Sequence, residues 1–99
     1  MIVIAGKATI KPEYWDEAMQ QAQQMSAQSA SEPGCHSYRF YVEPTDRNTF
    51  FIFEQWDNAE ALLQHFHSAH FQAFGAYLQS ILTSNMDIKR YEVSSVSDL

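Results

Sequence analysis

Apolar residues occupy most positions from Ile2 to Ile10, with Lys7 the single charged interruption, and the run reads as a strand buried on both faces. Pro12 suits a first helical turn, and Glu13, Asp16 and Glu17 suit its positive end. Trp15, Ala18, Met19, Ala22 and Met25 then recur at helical spacing, while Gln20, Gln21, Gln23 and Gln24 fill the wet side. Glu32-Pro33-Gly34 stops that helix. Cys35 to Glu43 alternates and is rich in Tyr and Phe, Pro44 to Asn48 supplies turn chemistry, and Thr49 to Trp56 returns as the second arm of a hairpin. Asp57 or Asn58 can cap a helix from Ala59, which carries Ala61, Leu62, His65 and Phe66 on one stripe. A break is predicted near Ser68 and Ala69, followed by a second helical stretch with Phe71, Phe74, Tyr77, Leu78, Ile81 and Leu82. Ser84 and Asn85 end it, Met86 to Val93 forms a last strand, and residues 94–99 form a tail expected to be loose or draped on a partner. No repeat or linker divides the chain, so residues 1–99 are expected to be a single domain.

The order β-α-β-β-α-β predicts an α+β fold, the split βαβ arrangement of ferredoxin-like domains, with an antiparallel sheet covered by helices on one face. In Thr49–Trp56 both alternating sets are apolar: Phe51 and Phe53 point one way, Phe50, Ile52, Glu54 and Trp56 the other. A bare sheet face bearing such aromatics needs cover, and a second copy packed sheet to sheet supplies it. The expectation is a homodimer. Composition agrees, because 14% aromatic residues is a large share for a core this small. A formal charge of −6 weighs against nucleic acid or an anionic membrane as partner, and no apolar run reaches the roughly 20 residues of a span. One cysteine, Cys35, forms no internal disulfide, and no secretory leader is visible, so the cytoplasm is the expected compartment.

Few residues look equipped for chemistry. Glu54 lies on the face expected to meet the helices, where a carboxylate needs a partner, and Lys7 is the candidate. The pair would be either a structural ion pair or the polar base of a pocket. Trp56 would be a core residue or a pocket wall. His65 sits three residues after Leu62 on the inward stripe, and His67 falls roughly 200° round the helix from it. A regular helix would splay those two apart, so His65, His67 and His70 are not expected to bind a metal. Tyr38 shares a strand face with His36, Phe40 and Val42, and could offer its hydroxyl to a ligand or simply pack across strands. Cys35 reads as a small buried hydrophobe. There is no Gly-rich phosphate loop, dinucleotide fingerprint or basic aromatic platform for RNA.

The segments Glu32-Pro-Gly-Cys-His-Ser-Tyr38, Phe53-Glu-Gln-Trp-Asp57 and His65 through His70-Phe-Gln-Ala-Phe74 resemble the antibiotic biosynthesis monooxygenase domains, which include quinol monooxygenases. The resemblance spans nearly the whole chain. It implies a dimeric α+β barrel of two ferredoxin-like subunits, each with a pocket between sheet and helices. It implies oxidation of a small quinol or polyphenol by molecular oxygen, with no metal, flavin or other cofactor. It points to His70 as the base and to Trp56, Phe71, Phe74 and Tyr77 as aromatic walls, with Lys7, Glu54 and Tyr38 as polar contacts; helical phase adds His65 as the other candidate base. A histidine could take the phenolic proton and leave the ring electron-rich enough to reduce oxygen. The same fold hosts haem-degrading enzymes, but their first-strand Asn is replaced here by Lys7 and their iron-ligating His position falls near Gly75. A sugar-phosphate isomerase of this fold, which would want more cations than Lys7 and Arg39, and a non-catalytic ligand-binding or stress-response barrel remain as alternatives.

Overall fold

In the structure, a computed structural model covering residues 1–99, the chain runs β1 (Ile2–Thr9), a 3₁₀ turn (Pro12–Tyr14), α1 (Trp15–Ala30), β2 (Cys35–Val42), β3 (Thr49–Trp56), α2 (Ala59–Phe66), α3 (Ala69–Ile81) and β4 (Asp87–Glu92). The four strands form one antiparallel sheet in the order β2-β3-β1-β4, the ferredoxin-like topology expected from the element order. Pro12 opens a 3₁₀ turn rather than the α-helix itself, and α1 starts three residues later. Asn58, not Asp57, caps α2, its side chain accepting from the Ala61 N–H at 3.0 Å. The break between α2 and α3 falls at His67 and Ser68, and the Ser68 hydroxyl caps α3 by accepting from the Phe71 N–H at 3.2 Å.

The core lies between the sheet and the helices. Ile10, Trp56 and Leu62 are sealed within it, with Phe50, Ile52, Tyr38, Phe74 and Leu78 around them. On β3 the alternation holds: Phe50, Ile52, Glu54 and Trp56 are buried, while Phe51 is exposed and Phe53 half-buried. β1 departs from the expectation of burial on both faces. Its Ile2, Gly6 and Ala8 are buried beside their β3 partners Trp56, Ile52 and Phe50, but Lys7 pairs in register with Phe51 and is exposed on the other face. That face is not uniformly apolar either. Phe51, Phe53, Tyr41 and Tyr91 share it with Lys7, Arg39 and Lys89, the register placing each on the same side. No helix is long and apolar enough to cross a membrane.

Candidate functional site

Three short segments meet at the end of the sheet where β3 finishes, the first of them distant in sequence from the other two. The first is the turn after α1. Gly34 takes a positive φ of 83°, a conformation that costs glycine little. Its carbonyl accepts from the Asp57 N–H at 2.8 Å, and the Glu32 carbonyl accepts from the Cys35 N–H at 3.1 Å. The turn is thereby stapled to the β3–α2 junction with the Glu32 side chain facing inward, 15% exposed. The second segment is the last turn of α2, which carries His65. The third is the first turn of α3, which carries His70. Ser68 joins these two: its hydroxyl donates to the His65 carbonyl at 2.6 Å while capping α3.

The helix break turns both histidines onto one carboxylate oxygen. His65 Nδ1 lies 2.6 Å from Glu32 Oε2 and His70 Nε2 lies 2.9 Å from the same atom. His65 is wholly buried. Burial lowers its pKa below the usual 6.5, outweighing the hydrogen bond and charge of Glu32, which pull upward. The imidazole is therefore neutral at neutral pH. With Nδ1–H donated to Glu32, Nε2 carries the lone pair, and this buried nitrogen has no hydrogen-bond partner. Rings surround it: Trp56 at 4.7 Å between centroids, Phe71 at 5.0 Å and Tyr38 at 5.3 Å. Glu32, His65 and His70 also offer potential metal-ligand atoms within 4.8 Å of one another. Two of those contacts are the hydrogen bonds just described.

A second carboxyl borders the same rings. Glu54 is 5% exposed and accepts from the Trp56 indole N–H at 2.9 Å. Burial, reinforced by the charge of Glu32 and opposed by the indole hydrogen bond, pushes its pKa up to about 7. Lys7 is not its partner. The strand register puts Lys7 opposite Phe51 on the far side of the sheet, next to Asp87, so the expected ion pair does not form. Tyr38 faces Glu54 across the strands, and burial beside that carboxyl raises its phenol pKa strongly. Burial likewise pushes the Cys35 thiol up to about 11, which keeps it unreactive.

Of the residues singled out from sequence, the structure brings His65, His70, Trp56, Glu54, Tyr38 and Phe71 together. Phe74 stands one layer away, its ring 5.6 Å from Phe40. Tyr77 lies elsewhere, beside Glu17 and Tyr14, and burial with those neighbours pushes its pKa up to about 12. The residue that sequence reasoning missed is Glu32. A carboxylate just beyond a helix C-terminus sits at the negative end of the helix dipole, and that unfavourable placement was the available signal. Two clefts flank the cluster. One of about 550 Å³ opens between α1 and β2, with Tyr38, Met19 and Phe40 among its walls. The other, of about 400 Å³, opens between α1 and α3, where His70 and Phe74 meet Gln21, Gln24 and Gln28.

Residues 1–77 match the family model described as antibiotic biosynthesis monooxygenase. An uncharacterised protein of Synechocystis sp. is 37% identical over 98 residues, which cover 99% of this chain and 67% of that protein. The Bacillus subtilis protein named "Putative monooxygenase YcnE" is 33% identical over 94 residues, covering 95% of this chain and 99% of its own. A solved structure from Bacteroides thetaiotaomicron, described as a possible oxidoreductase, superposes with a TM-score of 0.85 at 28% identity, over 93% of this chain and 96% of that one.

Proposed function

The chain belongs to the antibiotic biosynthesis monooxygenase family, and from that premise we propose that it is a homodimeric oxygenase that oxidises a small quinol or polyphenol with molecular oxygen and without a cofactor. The observation that carries this reading is the unpaired Nε2 of a fully buried, neutral histidine set among aromatic rings. Such a nitrogen is an acceptor waiting for a donor, and a phenolic hydroxyl is a donor of the right kind. His65 takes that proton, Glu32 holds the imidazole in the tautomer that can accept it, and the same carboxylate stabilises the imidazolium that results. His70, bound to the other side of Glu32 Oε2 and lining the α1/α3 cleft, links the buried base to water. Phe71 and Tyr38 wall the ring of the substrate, and the sealed Trp56 packs against the His65 ring.

This assigns the base to His65 in preference to His70, whose Nε2 is already engaged by Glu32. The partner subunit covers the sheet face that carries Phe51, Phe53, Tyr41 and Tyr91.

Oxygen uptake on a panel of hydroquinones tests the proposal. His65→Ala should lose about 10²- to 10⁴-fold in rate, the usual contribution of a general base. His70→Ala should lose much less, with both variants checked for retained folding by circular dichroism. No uptake by the wild-type protein on any quinol, or equal small losses in the two variants, would overturn the assignment.

A further inference from the structure

We propose that Glu32, His65 and His70 form a reversible site for a divalent transition-metal ion of the zinc class, and that an ion bound there switches off the base assigned to His65. The binding stands by itself; the inhibition rests on the oxygenase reading above. Three donors from three segments converge. His65 Nδ1 lies 2.6 Å and His70 Nε2 lies 2.9 Å from Glu32 Oε2, and the three residues offer one ligand atom each, all within 4.8 Å of one another. Two imidazoles and one carboxylate are a donor set that zinc, cobalt(II) and nickel accept. Tetrahedral coordination at about 2.0 to 2.1 Å sets such donors roughly 3.3 Å apart. The two short edges therefore open by roughly half an ångström around an ion, and a small swing of the partly exposed His70 adjusts the third.

Helix phase argued against a metal held by His65, His67 and His70, and His67 does stand apart, exposed to water. The break at His67 and Ser68 changes the set, because it turns His70 toward His65 while the turn after α1 brings Glu32 to both. The ligands are held before any ion arrives. Ser68 ties the last turn of α2 to the first turn of α3, and the Gly34 carbonyl fastens the Glu32 turn to Asp57. Charge favours a cation as well. The two histidines are the only ion-pair partners of Glu32, and no Lys or Arg reaches it. His70 lines the cleft of about 400 Å³ between α1 and α3, which gives an ion a way in and a fourth ligand position to water. His65 Nε2 lacks the outer hydrogen-bond partner that a tightly held metal ligand has. Loss of such a partner costs about 10- to 100-fold in affinity, which makes the ion exchangeable.

Coordination also decides which nitrogen of His65 carries the proton. In the metal-free site Nδ1–H donates to Glu32 and Nε2 keeps its lone pair. An ion on Nδ1 takes the lone pair of that nitrogen, so the proton leaves Nδ1 and the neutral ring carries it at Nε2. The ring gains no charge and nothing is oxidised or reduced. One buried nitrogen is unpartnered before and after, so the exchange adds no further unpaired group. Its consequence for chemistry is large, because an Nε2–H cannot accept a phenolic proton. Glu32, now a metal ligand, no longer holds the imidazole in the accepting tautomer. The filled site and the working base exclude each other.

The test titrates the chelator-washed protein with Zn²⁺ by calorimetry and with Co²⁺ by visible absorption. One ion per protomer should bind, with the intense visible bands of four-coordinate Co²⁺. Glu32→Gln and His70→Ala change partly exposed residues, and circular dichroism checks that both fold. Each should weaken binding by at least the roughly 10- to 100-fold that losing an outer partner alone costs. His67→Ala and His36→Ala should bind as the wild type does; the second removes the exposed His36–Asp57 pair, the remaining histidine–carboxylate contact of the chain. In ¹⁵N-labelled protein, Zn²⁺ should move the His65 ring proton from Nδ1 to Nε2. No stoichiometric binding, or binding lost in His36→Ala and kept in His70→Ala, overturns the site. Oxygen uptake with hydroquinone should fall as the site fills and return on adding chelator; uptake indifferent to a filled site overturns the inhibition. Zn²⁺ binding by a protein that consumes no oxygen on any quinol upholds the site and removes the oxygenase reading.

Discussion

Replacing Glu54 by Gln should change how stability depends on pH, whether or not the protein is turning over substrate. In the folded chain the carboxyl titrates at about 7, against 4.5 for the unperturbed group. Between those values the folded state holds a proton that the unfolded state has released. Stability therefore falls as pH rises from about 4.5 to 7, then levels off. A displacement of roughly 2.5 pH units at 1.36 kcal/mol each amounts to about 3 kcal/mol. Glu54→Gln carries no such titration, and the other groups titrate alike in both proteins, so subtracting one curve from the other isolates this effect. Urea unfolding from pH 4 to 8.5 at fixed protomer concentration is the assay. Relative to its standing at pH 4, the variant should gain about 3 kcal/mol by pH 8.5, a difference of roughly 1 to 3 M in urea midpoint. An offset that stays constant across the range would mean that Glu54 is ionised or solvated in the folded state, and the reasoning about its burial would be wrong.

Three further outcomes follow from the same geometry. Ser68→Ala should cost about 1 kcal/mol in thermal or urea unfolding, since it removes the cap of α3, and should also lower kcat because the joint carries both histidines; unchanged turnover would separate the cap from the site. Gly34→Ala should destabilise by more than about 1 kcal/mol, because φ is positive and a Cβ there would stand 2.6 Å from the Ala61 Cβ; a variant as stable as the wild type would contradict the turn geometry. Phe51→Asp should shift the protein from dimer to monomer in sedimentation, while Gln23→Asp should leave it dimeric. A wild type that sediments as a monomer at micromolar concentration would remove the partner subunit from the proposal.

Element order and helix phase were legible because each rests on neighbours in sequence. The alternation of Phe50, Ile52, Glu54 and Trp56 against Phe51 and Phe53 could be read directly, and the structure keeps it. The break at Ser68 was visible for a similar reason. What local patterns lack is register. Lys7 and Glu54 look like partners until the pairing of β1 with β3 assigns them opposite faces, and a shift of one residue would have reversed the answer. Glu32 was missed for a different reason. It lies 33 residues from His65 and 38 from His70, in a turn whose obvious content is its Pro and Gly, and only the closing of α1 onto the sheet brings it to them. Tyr77 shows the converse, a residue in the right helical series whose neighbours turn out to be Glu17 and Tyr14.

The joint between α2 and α3 constrains the chain in length more than in composition. Through an unbroken helix, His65 and His70 would stand roughly 140° apart around the axis and could not share one oxygen. Two residues, His67 and Ser68, remove that separation. One residue added or deleted there would carry His70 off Glu32, while the exposed His67 could be exchanged for many side chains. The hairpin of residues 43–48, at the opposite end of β3, has no such duty and could lengthen or shorten freely. Among related chains, then, the mark of a working site would be an alignment without gaps across 65–70, and insertions should collect at the hairpin.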